Sequence, residues 1–356
     1  MKIGIYDPYL DDLGGGEKYM MKIAQCLSEQ NEVYVFWDNS EDVKALKERF
    51  LLDLSKIKLT ENIFSKGVPF PKRAIESKKY DIIIALSDGS IPFLLSKKTF
   101  IHIQQPLPHQ NTSIKTKLKL SRISNFFCNS RYTKSYIDKS LGVDSVVLYP
   151  PVDLKPKKVT KENIIFHVGR FRVKNVSKID DYKKQAFMVE IFKNMVKNGL
   201  KNWKFILAVS IKKEDSVAFE KLREMAKGFP INFQINKNNN ALWETYSKAK
   251  IYWHASGFGE DLEKHPQFAE HFGISTVEAM GAGAVPVVIN AGGQAEIVED
   301  GKSGFLWNTT EELIGKTQEL MKNEKLLEKM SKGAMRRAEY FAGNRFCSEL
   351  FNILSL

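Results

Sequence analysis

Cysteine is scarce in this chain. Cys26, Cys128 and Cys347 stand far apart in 356 residues, without CxxC or Cys/His spacing. That spacing gives no sign of a zinc ribbon or a disulfide framework and predicts buried thiols in a reducing cytosol. The six histidines show no HxxxH or HxH pattern, so no metal site is expected from them. The acidic pairs Asp11-Asp12 and Asp180-Asp181 lack the D-x-D form at the end of an apolar strand, so no divalent cation is called for. Long apolar runs are also missing. None reaches the ~18 residues of a membrane-spanning helix. The opening MKIGIYDPYL reads as a strand, without the apolar stretch of a signal peptide. No internal repeat or low-complexity tract is present.

What is present is apolar material for two cores: 43% of residues are hydrophobic in a chain too long for one ordinary domain. The net charge of +12 is concentrated, because residues 54–139 carry 16 Lys or Arg against 5 Asp or Glu. A basic zone of this kind invites an anionic partner, or is simply a solvated lysine-rich surface. Strand-like runs alternate with helical stretches: KIGIYDP (2–8), EVYVFWD (32–38), DIIIALS (81–87), TFIHIQ (99–104), FFCNS (126–130) and VVLYP (146–150), with a helix at 17–30. YPPVDLKPKK (149–158) reads as a linker. The alternation restarts with IIFHVGRF (164–171), KFILAVS (204–210), INFQIN (231–236), IYWHA (251–255) and VPVVIN (285–290), then helices from about 309. Parallel βαβ units follow from this pattern. The expectation is α/β, two Rossmann-like domains facing each other across a cleft, 1–150 and 151–335, with 336–356 as a C-terminal helix packing back on the first.

The segment EHFGISTVEAMGAG (270–283) sets Glu270 and Glu278 on either side of a glycine turn. A helix starting near Ile274, with Ser275 and Thr276 in its first turn, offers free amides and a positive dipole end to a phosphate. Glu270 before the turn and Glu278 one turn in can accept from sugar hydroxyls and from a ribose diol. By itself the spacing also fits an ordinary helix with an acidic start.

The wider pattern E-x-F-G-x-x-x-x-E-A-M-x-x-G-x-x-P-V, followed by GGQAEIVEDGKSGFLW, resembles the family 4 retaining glycosyltransferases, which have the GT-B fold. GGGE (14–17), CNSRYTKSYI (128–137), LYPPVD (148–153) and HVGRF (167–171) occur in that family's order. The resemblance implies that Gly14, Gly15 and Gly16 bring backbone amides toward donor phosphates and acceptor. It implies that Arg170 and a following lysine neutralise the donor diphosphate. Lys184 is the best match, with Lys183 and Lys174 as competitors across an unusually long loop, 172–181. His102 is implied on the acceptor side as a catalytic residue, with a core histidine as the other reading; His109 is a weaker match. His254, Phe272, Gly273, Ile274, Ser275 and Glu278 are implied as donor-binding residues, and His271 as a support for the turn.

The implied activity is transfer of a hexose, with retention, from a nucleoside diphosphate sugar (GDP-mannose or a UDP-hexose). Glu270, Arg170, Lys184 and His102 carry it, no cofactor is required, and the acceptor is a glycan, lipid-linked or protein hydroxyl. A cytoplasmic protein is expected, and the basic-apolar stretch 111–127 offers a peripheral contact with anionic membrane. Nucleic acid fits poorly, because no aromatic-basic RNA motif or recognition helix is seen. The rival readings are a nucleotide-sugar 2-epimerase of the same fold and a non-catalytic nucleotide-sugar-binding or nucleic-acid-binding protein.

Overall fold

The structure, a computed structural model, describes residues 1–12, 14–107, 114–175 and 180–356. His109, the start of the stretch 111–127 and the middle of the loop 172–181 lie outside the described residues. The chain forms two compact units: Met1–Pro151 with Gly343–Leu356, and Val152–Ala342.

In unit 1 the elements alternate as β1 (Lys2–Tyr6), α1 (Gly15–Ser28), β2 (Glu32–Phe36), α2 (Ser40–Phe50), β3 (Ile57–Thr60), α3 (Phe70–Ser77) and β4 (Ile82–Ser87). They continue as β5 (Lys98–Ile103), α4 (Ile114–Leu120), β6 (Asn125–Cys128), α5 (Arg131–Leu141) and β7 (Val146–Val147). The seven strands pair in the order β3-β2-β1-β4-β5-β6-β7, all parallel. β4, with IIIALS buried on both faces, lies in the middle of the sheet, as a doubly covered parallel strand should. β6 stops at Cys128 because Ser130 caps α5, its Oγ accepting from the Thr133 amide at 3.0 Å.

Unit 2 holds β8 (Glu162–Arg170), β9 (Val173–Asn175), β10 (Asp180–Asp181), α6 (Gln185–Lys197), β11 (Lys204–Ser210), α7 (Ser216–Ala226), β12 (Ile231–Ile235) and α8 (Asn239–Lys248). β13 (Ala249–His254), α9 (Ile274–Gly281), β14 (Val285–Ile289), α10 (Gln294–Ile297), β15 (Phe305–Trp307), α11 (Thr310–Lys322) and α12 (Glu324–Glu339) complete it, and α13 (Phe346–Leu354) returns to unit 1. Its main sheet runs β12-β11-β8-β13-β14-β15, again parallel. β9 and β10 form a separate antiparallel pair. Its core gathers Trp253, Trp307, Phe171, Phe192, Phe205 and Phe219.

Four details differ from the sequence reading. β3, β15 and the β9–β10 pair were not expected, since each is four residues or fewer and carries too little periodicity to be read. α1 begins at Gly15 rather than at Glu17, because the Glu17 carboxylate folds back to accept from the Gly14 amide at 2.6 Å. Residues 336–339 still belong to α12, so the C-terminal helix starts only at Phe346. Finally, Cys26 and Cys347 are joined in a disulfide, with Cα atoms 5.4 Å apart across 321 residues of sequence. The expectation of three thiols is corrected: α13 buries Phe346, Leu350 and Leu354 in the α1 core and brings the two sulfurs together. Cys128 alone remains a buried thiol. Among the described residues no helix is long and apolar enough to cross a membrane.

Candidate functional site

In the unit 2 sheet the chain proceeds from β8 outward to β11 and β12 on one side, then returns to lay β13 against the other side of β8. The order reverses between β8 and β13, and ligands of open parallel sheets sit outside the carboxyl ends of the strands at such a reversal. Arg170 ends β8 and is exposed there, and His254 ends β13. The loop after β13 leads to Glu270 and then to α9.

Gly273 makes that entry possible. It caps α9 with φ +121°, and a Cβ there would stand 2.5 Å from Gln294 Nε2, so only glycine takes the position without strain. No side chain caps α9, and the first amides of a helix have no partner within it. Gly293 presses just as closely on the other side. Its amide donates to the Glu270 carbonyl at 2.7 Å, and a Cβ there would lie 2.4 Å from Phe272 Cα. The backbone that carries Glu270 is therefore held tightly against the 292–294 turn.

Glu270 is the centre of the charge. Its Oε2 accepts from Lys183 Nζ at 2.6 Å and from His254 Nε2 at 2.9 Å. Burial would raise its pKa, but Lys183 first and His254 next outweigh burial and hold the carboxyl well below its ordinary range. His254 is shifted down by its own burial, against the pull of Glu270. A neutral ring donating from Nε2–H is the consistent state. Behind it His167, pushed down to about 3 by burial, donates from Nδ1 to the Trp253 carbonyl at 2.9 Å.

Of the three lysines that the resemblance offers for the diphosphate, Lys183 is the one that reaches Glu270. Lys184 caps α6 in the left-handed region, with φ +57° and ψ +35°. That twist sends the two neighbouring side chains to different partners: Lys184 pairs with Glu260 at 2.5 Å and Asp180 at 3.4 Å. Lys174 also binds Glu260, at 2.5 Å, and lies over the Phe268 ring at 3.6 Å. Asp181, one of the acidic pairs weighed above, takes the amides of Gln185 and Ala186 at 2.7 and 3.0 Å and so starts α6.

Glu278 lies one turn into α9 and accepts from the Tyr246 hydroxyl at 2.9 Å. Burial, with Glu278 adding to it, keeps that phenol protonated far above pH 10, so it is a fixed donor. Tyr252 donates to Ser275 Oγ at 2.8 Å. Neither tyrosine was singled out from the sequence; buried tyrosines on a strand and a helix look like core until their partners are seen. His271 donates to the Gln267 carbonyl at 3.2 Å and supports the turn.

Four expected residues remain to be placed. Phe272 is 3% exposed and packs edge-on against Phe341, so its side chain is core and only its backbone borders the site. His102 is fully buried in unit 1, stacked between Tyr19 and Phe127, with Nδ1 donating to the Phe127 carbonyl at 3.0 Å. Burial pushes it down to about 3. It is a neutral core histidine, the second of the two readings that the sequence left for it. Gly15 and Gly16 form the first turn of α1 in unit 1, with Gln104 against Gly16.

Two parallel doubly wound units of seven and six strands are the architecture of GT-B glycosyltransferases, and the chain shares its fold along its whole length with several of them. It belongs to the glycosyl transferases group 1 family, whose sequence profile matches residues 153–337, just over half of its length. Among curated relatives, the GDP-Man:Man(3)GlcNAc(2)-PP-Dol alpha-1,2-mannosyltransferase of Dictyostelium discoideum is 27% identical over 244 residues, 64% of this chain and 46% of its own length. A probable sucrose-phosphate synthase of Thermosipho melanesiensis is 28% identical over 215 residues, 60% of this chain and 45% of its own. The chain thus spans less than half the length of these two relatives. The crystal structure of Anabaena Alr3699/HepE in complex with UDP superposes with a TM-score of 0.76 at 18% identity, covering 100% of both chains.

Proposed function

We propose that the carboxyl end of the unit 2 sheet binds the diphosphate of a nucleoside diphosphate hexose and that the protein transfers the hexose, with retention, to an acceptor hydroxyl. The observation that carries this reading is the Lys183–Glu270–His254 cluster lying directly before the glycine-capped start of α9. When the bond from C1 to the diphosphate oxygen breaks, negative charge grows on the diphosphate. Arg170, Lys183 and the amides of Ile274 and Ser275 offset that charge in the transition state, each contact contributing ~2–4 kcal/mol. Glu270, already ionised and held by two donors, keeps its remaining lone pairs for hydroxyls of the hexose. Glu278, oriented by Tyr246, accepts from the ribose diol. The acceptor oxygen bonds to C1 on the face the diphosphate leaves, and the diphosphate oxygen takes the acceptor's proton.

Both GDP-mannose and UDP-hexoses are carried forward as donors, since the relatives named above include a GDP-mannose enzyme and a UDP complex. Calorimetric titration with GDP, UDP, GDP-mannose and UDP-glucose decides between them. Glu278→Ala is expected to weaken the preferred nucleotide at least about tenfold, and unchanged affinity refutes the assignment. A membrane-side acceptor is supported by the exposed Lys117, Leu118 and Arg122 in and after α4. Co-sedimentation with phosphatidylserine vesicles that matches neutral vesicles removes that part.

A further inference from the structure

Lys183 meets Glu270 beside a residue whose backbone takes a conformation that side chains disfavour. Lys184 is one of five non-glycine residues with positive φ among the described residues, and of the five it alone caps the start of a helix. In the left-handed region a Cβ crowds the neighbouring carbonyl, and glycine is the residue that occupies it freely. Elsewhere such a conformation persists where surrounding contacts fix it. For Lys184 the contacts are at the far end of its side chain. Its Nζ lies 2.5 Å from Glu260 Oε1 and 3.4 Å from Asp180 Oδ1. The Glu260 side chain is 14% exposed and that of Asp180 43%, so Glu260 is the stronger anchor. Burial would raise the Glu260 carboxyl, but Lys174 and Lys184 outweigh it and keep the group ionised. Glu260 is itself held in place. Its amide donates to the Gly257 carbonyl at 3.1 Å, and a Cβ on Gly257 would lie 3.4 Å from Ala269 Cα, next to Glu270. Two residues before it, Phe258 packs on Phe187 of α6, with ring centroids 4.5 Å apart.

We infer that Glu260 is a positioning residue of this site: by holding the Lys184 ammonium it keeps residue 184 left-handed and so aims Lys183 at Glu270 and the departing diphosphate. The inference rests on the transferase reading above and adds a residue that acts through a neighbour rather than on the donor. If residue 184 left the left-handed region, the chain direction at the start of α6 would change and the Lys183 stem would turn with it. That stem now runs past the end of β8, where a Cβ on Gly169 would stand 3.4 Å from Lys183 Cγ. Glu260 also takes Lys174 Nζ at 2.5 Å on the same oxygen, which ties the turn to the β9–β10 hairpin as well as to α6. The two ends of the Lys183–Glu270 pair are thus set by one turn: Lys183 through residue 184, and Glu270 through the packing of Gly257 on Ala269.

The test compares variants of the full chain by release of nucleoside diphosphate and by competitive acetylation of lysines, read residue by residue in mass spectrometry. Glu260→Gln keeps the shape of the side chain and removes its charge. It is expected to lower kcat/KM about tenfold and to speed acetylation of Lys183 at least about threefold, as the ammonium spends less time on Glu270. Lys184→Gly takes the left-handed region without an anchor and should keep at least about threefold more activity than Lys184→Ala. In the Lys184→Gly chain, adding Glu260→Gln should change kcat/KM and Lys183 acetylation by less than about twofold, because no anchor is then needed. A merely structural ion pair predicts the opposite, with Glu260→Gln costing the same in both backgrounds. That equality, equal activity of Lys184→Gly and Lys184→Ala, or unchanged Lys183 acetylation in Glu260→Gln overturns the inference. The comparison at position 184 stands even where Glu260→Gln melts early. Acetylation rates need no nucleotide. A wild type that binds neither GDP nor UDP therefore refutes the transferase reading, and the acetylation rates still decide what Glu260 positions.

Discussion

Replacing Lys183 by alanine, with Lys184→Ala beside it, separates two neighbouring cations that the sequence does not distinguish. Lys183 Nζ lies 2.6 Å from Glu270 Oε2, with the two side chains 27% and 20% exposed. Breaking a fully buried pair costs about 3–5 kcal/mol, much of it from the charge left behind. Here His254 still donates to Glu270, and both groups keep some solvent, so about 2 kcal/mol is the fitting figure for the pair. That part is read in the melting temperature; the lost contact to the departing diphosphate, ~2–4 kcal/mol, corresponds to a drop of roughly 30- to 1000-fold in kcat/KM. Lys184→Ala leaves Glu260 still paired with Lys174 at 2.5 Å, so its loss should stay below about tenfold. The assay is release of nucleoside diphosphate from the preferred donor, with melting temperatures for both variants. The pH profile adds a signed check. Lys183 is the largest of the influences that lower the Glu270 pKa, so its removal shifts that pKa upward and moves the acid limb of activity to higher pH. In the wild type the lowered pKa gives stability that is present above the unfolded carboxylate value and lost as pH falls through the folded one. Equal losses in the two variants, or a Lys183→Ala enzyme within a few-fold of wild type, would refute the reasoning.

The remaining predictions concern single contacts. Asp7 is raised by burial from 3.8 to about 7, so its contribution to stability is full below about pH 4 and is lost as pH rises through 7. At ~1.4 kcal/mol per unit this is ~4 kcal/mol, and Asp7→Asn should be the more stable protein at pH 8 in chemical denaturation; no gain there contradicts the burial argument. Tyr246→Phe removes the donor to Glu278 and should weaken nucleotide binding about tenfold with little change in fold, measured by calorimetry. Reduction of Cys26–Cys347 frees α13 from α1 and should lower the melting temperature by roughly 5–15 °C. Cys347→Ser should show the same lowering and no further response to reductant.

The sequence by itself determined the α/β alternation, the change of unit near residue 151 and the placing of Glu270, Gly273 and Glu278. Those features are local: strand runs, a proline-rich link and a helix start are each written within a few neighbouring residues. Arg170 was equally legible, as the last residue of an apolar strand. Only the tertiary structure decided which lysine meets Glu270, because one left-handed residue at position 184 turns adjacent side chains to different partners. It also decided that His102 is core, that Phe272 faces inward, and that Tyr246 is the donor to Glu278. The Cys26–Cys347 bond is the extreme case. Its two sulfurs are 321 residues apart in sequence, and nothing but the packing of the last helix on the first brings them within bonding distance.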